Sequence, residues 1–103
     1  MSGTWSLSYS DEARKDVVAL DGSDRRLVEA ALLKLTTDPQ LRGYPLRGNL
    51  AGFRALVVGK KKIRIVFKVI SEQVVVFVIA IGYRRNDEVY LKAATRTADS
   101  PEG

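Results

Sequence analysis

The chain has 103 residues, enough for one domain, and its longest apolar run, Val74–Ile81, has the length of a strand rather than of a membrane span. It contains no cysteine and no histidine, which excludes disulfides, thiol nucleophiles, a Ser-His-Asp triad and imidazole-bound zinc. The net charge is +5, but residues 42–96 alone carry +9, and a segment this basic predicts a polyanionic partner.

The first third of the chain predicts a strand followed by two helices. Residues Trp5–Tyr9 alternate apolar and polar side chains, as a half-buried strand does. Ser10 is suited to cap a helix whose apolar residues then recur at helical spacing. Asp21-Gly22-Ser23 interrupts that helix, and Asp24–Leu35 resumes the helical pattern until Asp38-Pro39 ends it.

The second half of the chain changes to the two-residue period of β-strands. Gly52–Val58, Lys62–Val69 and Val74–Ile81 are predicted strands, separated by short turns at residues 59–61 and 71–73. Turns this short predict an antiparallel meander. Asn86 is expected to cap a last helix, Asp87–Thr95.

Together these elements predict one small α+β domain over residues 1–96. The N-terminal strand and the three-stranded antiparallel meander are expected to form one sheet, with the helical hairpin and the short C-terminal helix packed on one face. Residues 97–103 are small and polar and are predicted to be a flexible tail. The lack of cysteine and of a secretory signal pattern predicts a cytoplasmic protein.

The opposite face of the predicted sheet is expected to carry a basic site. Alternation turns Arg54 and Arg64 away from the helices, Arg84 follows the last strand, and Tyr90 lies one turn into the last helix. Singly, each has an ordinary structural explanation, but arginines converging on one face are suited to bind phosphate. Further attraction for a polyanion is expected from Arg47, Lys60, Lys61, Lys62, Lys68 and Arg85.

Three stretches of this chain resemble RelE-type toxins of bacterial type II toxin–antitoxin systems, within the RelE/ParE superfamily. They are LRGNLAGFRALVV (46–58), KIRIVFKVISEQVVVFVIAIGYRRNDEVY (62–90) and the N-terminal strand–helix–helix. The likeness runs from about Trp5 to Lys92. It implies an mRNA endonuclease of the ribosomal A site that uses no metal or other cofactor. The substrate's own 2′-hydroxyl attacks the adjacent phosphate in this family.

The resemblance also implies roles for single residues. Arg64 and Arg84 match arginines that bind phosphate and stabilise the charge developing in the transition state. Tyr90 matches a tyrosine that stacks on or orients a base. Arg54 and Leu56 occupy positions at which the best-known member has lysines. The predicted catalytic residues are thus Arg54, Arg64, Arg84 and Tyr90, and the binding residues for RNA and the ribosome are the six basic residues given above.

The base that removes the 2′-hydroxyl proton stays open at this point. Arg54 keeps its proton and Leu56 has none to exchange. The candidates are therefore Lys62, Lys68, the phenolate of Tyr90 and groups of the ribosome.

The implied partners are the ribosome with its mRNA and a cognate RelB-like antitoxin, with no membrane. An antitoxin helix is expected to lie across the helix pair at Val17, Leu20, Val28 and Leu32 and to form a toxin–antitoxin hetero-oligomer. Three other functions compete with the interferase hypothesis. They are a ParE-like inhibitor of DNA gyrase, a catalytically weak RNA-binding or antitoxin-binding module, and a basic domain without a nucleic-acid role.

Overall fold

The computed structural model describes residues 4–60 and 62–99 of the chain. Eight helices and strands follow one another in these two ranges. They are β1 (Ser6–Tyr9), α1 (Asp11–Ala19), α2 (Gly22–Lys34), β2 (Tyr44–Pro45), β3 (Arg54–Val58), β4 (Ile63–Ile70), β5 (Val75–Tyr83) and α3 (Glu88–Thr95). Short 3-10 turns occur between these elements and after α3. This order confirms the predicted α+β class.

All five strands belong to one sheet with the order β1-β5-β4-β3-β2. Strand β1 runs parallel to β5, and the other neighbours are antiparallel. The predicted N-terminal strand and three-stranded meander are therefore confirmed. Strand β2 was not predicted, because two residues, Tyr44–Pro45, are too few to show any alternation in the sequence.

The helices cover both faces of the sheet, so the prediction that all of them pack on one face is wrong. Helices α1 and α2 enclose one core with Ile63, Ile65 and Phe67 of β4. Helix α3 encloses a second core on the other face, where Val89 and Ala93 pack with Val66 of β4. A nearly all-apolar β5 fits this arrangement, since a strand covered on both faces has no solvent-facing side.

A β-bulge in β5 adjusts the sheet beneath α3. Val66 pairs with Ala80 and Phe67 pairs with Val78, which leaves Ile79 as an extra residue on β5. Ile79 and Ala80 consequently both belong to the core under α3 instead of alternating between the faces. The bulge was not predicted, because an unbroken apolar run carries no signal of a change in phase.

The helix ends follow the capping chemistry of the sequence in two cases and depart from it in one. The Ser10 hydroxyl accepts a hydrogen bond from the Ala13 amide at the start of α1. The Asp21 carboxylate caps α2, which begins two residues before the predicted Asp24. The predicted cap at Asn86 is wrong. Asn86 and Asp87 both adopt left-handed backbone angles, with φ of 55° and 57°, and Asp87 precedes α3 without a side-chain cap.

A cluster of charged side chains ties α3 to α1 across the edge of β5. The Asp16 carboxylate of α1 contacts Lys92 Nζ at 3.1 Å and Arg96 Nη1 at 2.8 Å. It also accepts a hydrogen bond from the Ile81 amide, while Lys92 donates to the Ile81 carbonyl and Arg96 to the Ile79 carbonyl. Strand β1 pairs with β5 only as far as Val78. The cluster therefore satisfies backbone groups of β5 that have no strand partner.

Three predictions concern surfaces and ends of the chain. Leu20, Val28 and Leu32 are buried in the core, so they do not form the expected docking surface for an antitoxin helix. Residues Thr97–Asp99 form a 3-10 turn, and residues 100–103 of the predicted tail lie outside the described ranges. None of the helices in the described ranges combines the length and the apolar character needed to cross a membrane.

Candidate active site

Three side chains from three different elements meet on the face of the sheet that α3 partly covers. The hydroxyl oxygens of Tyr44 on β2 and Tyr90 on α3 lie 2.6 Å apart. Arg64 Nε on β4 donates to the Tyr44 hydroxyl oxygen over 3.1 Å. This arrangement defines the Tyr44–Arg64–Tyr90 cluster. Arg64 and Tyr90 were predicted site residues, whereas Tyr44 was missed.

The position of Tyr44 depends on a glycine and an arginine. Gly43 has φ of 65°, and a Cβ atom at this residue would lie 2.1 Å from the carbonyl oxygen of Ala55, so only glycine lets β2 approach β3 this closely. Arg54 donates from Nε to the Arg42 carbonyl and from Nη2 to the Gly43 carbonyl. Tyr44 then pairs with Ala55 and projects from the same face as Arg64.

Arg64 is buried, with 7% of its surface exposed, and so the expectation that it is an exposed side chain is wrong. It lies on β4, the central strand of the sheet, where it pairs with Val57 of β3 and with Gly82 of β5. Burial by itself disfavours the charged guanidinium. Hydrogen bonding to Tyr44 and the partial negative charge of both phenol oxygens outweigh burial and raise the pKa of Arg64, so it stays a cation.

The two tyrosines of the cluster have pKa values shifted in opposite directions. Burial, followed by the hydrogen bond to Tyr44, raises the pKa of Tyr90 to about 12. Burial also acts to raise the pKa of Tyr44, but the hydrogen bonds from Tyr90 and Arg64 and the charges of Arg64 and Arg84 outweigh it. The pKa of Tyr44 therefore falls below its ordinary value of 10.0. These opposite shifts favour Tyr44 as the acceptor of the pair and Tyr90 as the donor.

Arg84 stands at the rim of the cluster. It is exposed, and its backbone amide donates to the Lys62 carbonyl at the end of the β4–β5 ladder. Its charge is among the influences that lower the pKa of Tyr44. Arg84 therefore places an exposed cation near Tyr44, and its catalytic role stays a prediction.

Arg54 lies on the other face of the sheet, so its predicted place beside Arg64 is wrong. The register pairs Arg54 with Phe67 and Leu56 with Ile65, and both partners belong to the core under α1 and α2. Both phases of β3 contain apolar residues, and the pattern alone therefore did not fix its orientation. Leu56 packs against that same core. A lysine at position 56 would therefore lie on the opposite face of the sheet from the Tyr44–Arg64–Tyr90 cluster.

The six predicted binding residues are distributed around the protein. Arg47, Lys60, Lys62 and Arg85 are exposed, and Lys61 lies outside the described ranges. Lys62 pairs with the buried Asp24 carboxylate at 3.3 Å, and Lys68 Nζ lies 5.7 Å from the centre of the Phe53 ring. A depression lined by Lys62, Tyr83, Arg84 and Arg85 extends from the rim.

Within residues 4–60 and 62–99, no three carboxylates come together as a metal site.

Comparisons with known proteins agree with the fold. The mRNA interferase toxin RelE of Escherichia coli K12 is 31% identical over 90 residues, which are 87% of this chain and 94% of RelE. The structure of an E. coli RelE variant with two arginines changed to alanine, in the free state, matches with a TM-score of 0.76 and 29% identity, covering 91% of this chain and 98% of that one.

The toxin in the intact E. coli RelBE toxin–antitoxin complex matches with a TM-score of 0.68 and 28% identity, over 77% of this chain and 95% of that chain. No protein-family model matches the sequence. The fold, the basic rim and these likenesses place the protein among the small toxins of bacterial toxin–antitoxin systems. The chain belongs to the RelE family of toxins.

Proposed function

We propose that this protein is an mRNA interferase that cleaves mRNA in the A site of the ribosome and so inhibits translation. The observation that carries the proposal is the Tyr44–Arg64–Tyr90 cluster with Arg84 at its rim. The name of the E. coli relative, an mRNA interferase toxin, supports the same reaction.

In the proposed reaction, the 2′-hydroxyl of one nucleotide attacks the phosphate that follows it and displaces the 5′-oxygen of the next nucleotide. The transition state gathers negative charge on the phosphoryl oxygens. Arg64 is held in place by its neighbours, and Arg84 reaches the same region from the rim. Because Arg64 is fixed by its hydrogen bond to Tyr44, it stabilises that charge without a costly rearrangement, and Arg84 adds a second positive charge.

Tyr90 orients the nucleotide in this proposal. Its ring is half-buried, and its hydroxyl is fixed by Tyr44. A ring held in one orientation is a suitable platform on which a base stacks. Arg54 acts indirectly, because its guanidinium fixes the backbone at Arg42 and Gly43 just before Tyr44.

The exposed basic residues account for binding to the ribosome and to mRNA. Arg47, Lys60, Lys62 and Arg85 are solvent-accessible cations, and we assign the same role to Lys61 and Lys68. Cations that neutralise phosphates release counterions, and ribosome binding is therefore expected to weaken as the salt concentration rises.

The proposal includes a RelB-like antitoxin as partner, as in the RelBE complex of the E. coli relative. Helices α1 and α2 expose Val18 and Leu33, each with about 70% of its surface accessible. A groove between the two helices is lined by Tyr9, Arg14, Val17, Val18, Glu29 and Leu32. An amphipathic antitoxin helix in this groove would cover Val17 and Val18, whereas Leu32 is already buried in the core.

A cell-free translation reaction tests the proposed function. Wild type and Arg84→Ala are compared with and without ribosomes, and new 5′ ends in the mRNA are mapped by primer extension. Arg84 is exposed, so its replacement is expected to leave the fold intact. Cuts in phase with codons, seen only with ribosomes and strongly reduced in the variant, are the expected result. Intact mRNA with the wild-type protein would contradict the proposal.

A further inference from the structure

The proposed function assigns no chemical step to Tyr44, although its hydroxyl lies at the centre of the cluster. We propose that Tyr44 is the catalytic base that accepts the proton of the attacking 2′-hydroxyl. This inference rests on the proposed mRNA interferase function and extends it, since it names a residue of this chain for the proton transfer that the proposed function leaves unassigned.

The hydrogen bonds around Tyr44 favour an oxygen that accepts protons. Its oxygen accepts a hydrogen bond from Arg64 Nε over 3.1 Å and lies 2.6 Å from the hydroxyl oxygen of Tyr90. Arg64 donates and the Tyr90 hydroxyl is able to donate, and a phenolate that accepts two hydrogen bonds beside a cation is stabilised relative to the phenol. The residue is also 37% exposed, so a nucleotide can approach its oxygen.

The charged and titratable groups that face Tyr44 are Arg64 on β4, Tyr90 on α3 and Arg84 after β5. None of these three is suited to be the base. Arginines keep their protons at physiological pH, and the pKa of Tyr90 is raised to about 12. The pKa of Tyr44 is shifted the opposite way, below 10.0.

The two lysines considered from the sequence are engaged elsewhere. Lys62 forms an ion pair with Asp24, which lies on α2 and also accepts a hydrogen bond from Tyr83. Lys68 lies over the ring of Phe53. Along β4, Lys68 is two residues from Val66 and further from Arg64. Histidine and cysteine are absent from the sequence.

The proposed step balances in protons and bonds. The Tyr44 phenolate takes the proton of the 2′-hydroxyl while the 2′-oxygen forms a bond to phosphorus. The bond from phosphorus to the 5′-oxygen breaks, and the 5′-oxygen takes a proton from a water molecule. The hydroxide that remains removes the proton from Tyr44, which restores the phenolate. The products are a 2′,3′-cyclic phosphate and a 5′-hydroxyl.

Two replacements at position 44 test the inference in single-turnover cleavage of ribosome-bound mRNA. Tyr44→Phe removes the oxygen and is expected to slow cleavage roughly 10²-fold or more, the usual contribution of a general base. A 3-fluorotyrosine placed only at position 44 keeps the hydroxyl but is more acidic. It is expected to move the rise of the cleavage rate with pH towards lower pH.

The matched control is 3-fluorotyrosine at Tyr9, which lies beside Arg14 on the opposite face of the sheet. This control is expected to leave the pH profile in place. Denaturation midpoints of all variants show whether each remains folded, and the fluorotyrosine variants retain every hydroxyl that bonds in the native structure.

The outcomes separate the inference from the proposed function. If 3-fluorotyrosine shifts the pH profile of cleavage at position 44 but not at position 9, the result supports Tyr44 as the catalytic base. Wild-type rates in Tyr44→Phe, or a pH profile that does not respond to fluorotyrosine at position 44, overturn that assignment and leave the interferase function standing. If the wild-type protein does not cleave ribosome-bound mRNA, the proposed function fails and the assignment fails with it.

Discussion

Strand β4 contributes different kinds of side chain to the two faces of the sheet. On one side of β4, Ile63, Ile65 and Phe67 are fully buried beneath α1 and α2. On the other side, Arg64 is almost as deeply buried, but it lies among tyrosines and carries a charge. Strand β4 therefore contributes only to the core on one face, and to both the core under α3 and the candidate site on the other.

The comparison explains why the charged site can be buried in so small a protein. Burying a cation without partners destabilises a fold strongly. The apolar cores on the two faces supply the stability of the fold, and the hydrogen bonds to Tyr44 and Tyr90 compensate the desolvation of Arg64. The site is consequently rigid, as preorganised transition-state stabilisation requires.

Removing the largest side chain of the apolar face is expected to have the largest effect on the protein. Phe67→Ala leaves a cavity under α1 and α2 and is expected to lower the free energy of unfolding by about 3–5 kcal/mol. Urea denaturation measures this change. Val57→Ala on the opposite face is the control, since Val57 is 39% exposed, and should cost less than about 1 kcal/mol. Similar losses in both variants would contradict the division between the faces.

The charged cluster at the edge of β5 provides the second prediction, because it holds α3 against the site face. Asp16→Asn leaves Arg96 and Lys92 without their carboxylate and is expected to cost about 2–3 kcal/mol. Hydrogen exchange should report faster opening of α3 than of α2. Glu12→Gln, which removes only the exposed pair of Glu12 with Lys15, is the control and should change stability by less than about 0.5 kcal/mol. Unchanged protection of α3 in Asp16→Asn would contradict the role of this cluster.

The fold was largely predictable because its signals are local. The alternation in β4, the hydroxyl of Ser10 before α1 and the turns of the meander each act over a few residues. The placement of α3 was not predictable in this way. It depends on contacts between residues far apart in the chain, such as Asp16 with Arg96.

The site was predictable only in part, for the same reason. Arg64 and Tyr90 could be found from position in the sequence, and the structure brings them together. Tyr44 could not be found, because it stands on a two-residue strand whose pairing is fixed by Gly43 and Arg54. The one signal for Tyr44 in the sequence was Gly43 directly before it, a glycine to which the sequence pattern gave no other role. Arg54 was predicted on the wrong face because both alternating sets of β3 residues include apolar side chains. The pairing of Val58 with Ile63 decides which face of the sheet Arg54 occupies.

The last prediction compares two arginines, one from each face. Arg64→Lys keeps a positive charge but removes the planar guanidinium that donates to Tyr44. We expect cleavage to fall about 10²-fold, in the range found when a donor to a developing oxyanion is removed, with a change in stability of about 1 kcal/mol. Arg54→Lys loses the hydrogen bonds to the Arg42 and Gly43 carbonyls and should lower stability by a similar amount.

The two variants should differ in cleavage more than in stability, because Arg64 lies in the Tyr44–Arg64–Tyr90 cluster and Arg54 acts on it only through the backbone of β2. Single-turnover cleavage and urea denaturation of the same two preparations separate these effects. A larger loss of cleavage in Arg54→Lys than in Arg64→Lys would mean that the reacting phosphate contacts the face of α1 and α2. The assignment of chemistry to the face of α3 would then have to be reversed.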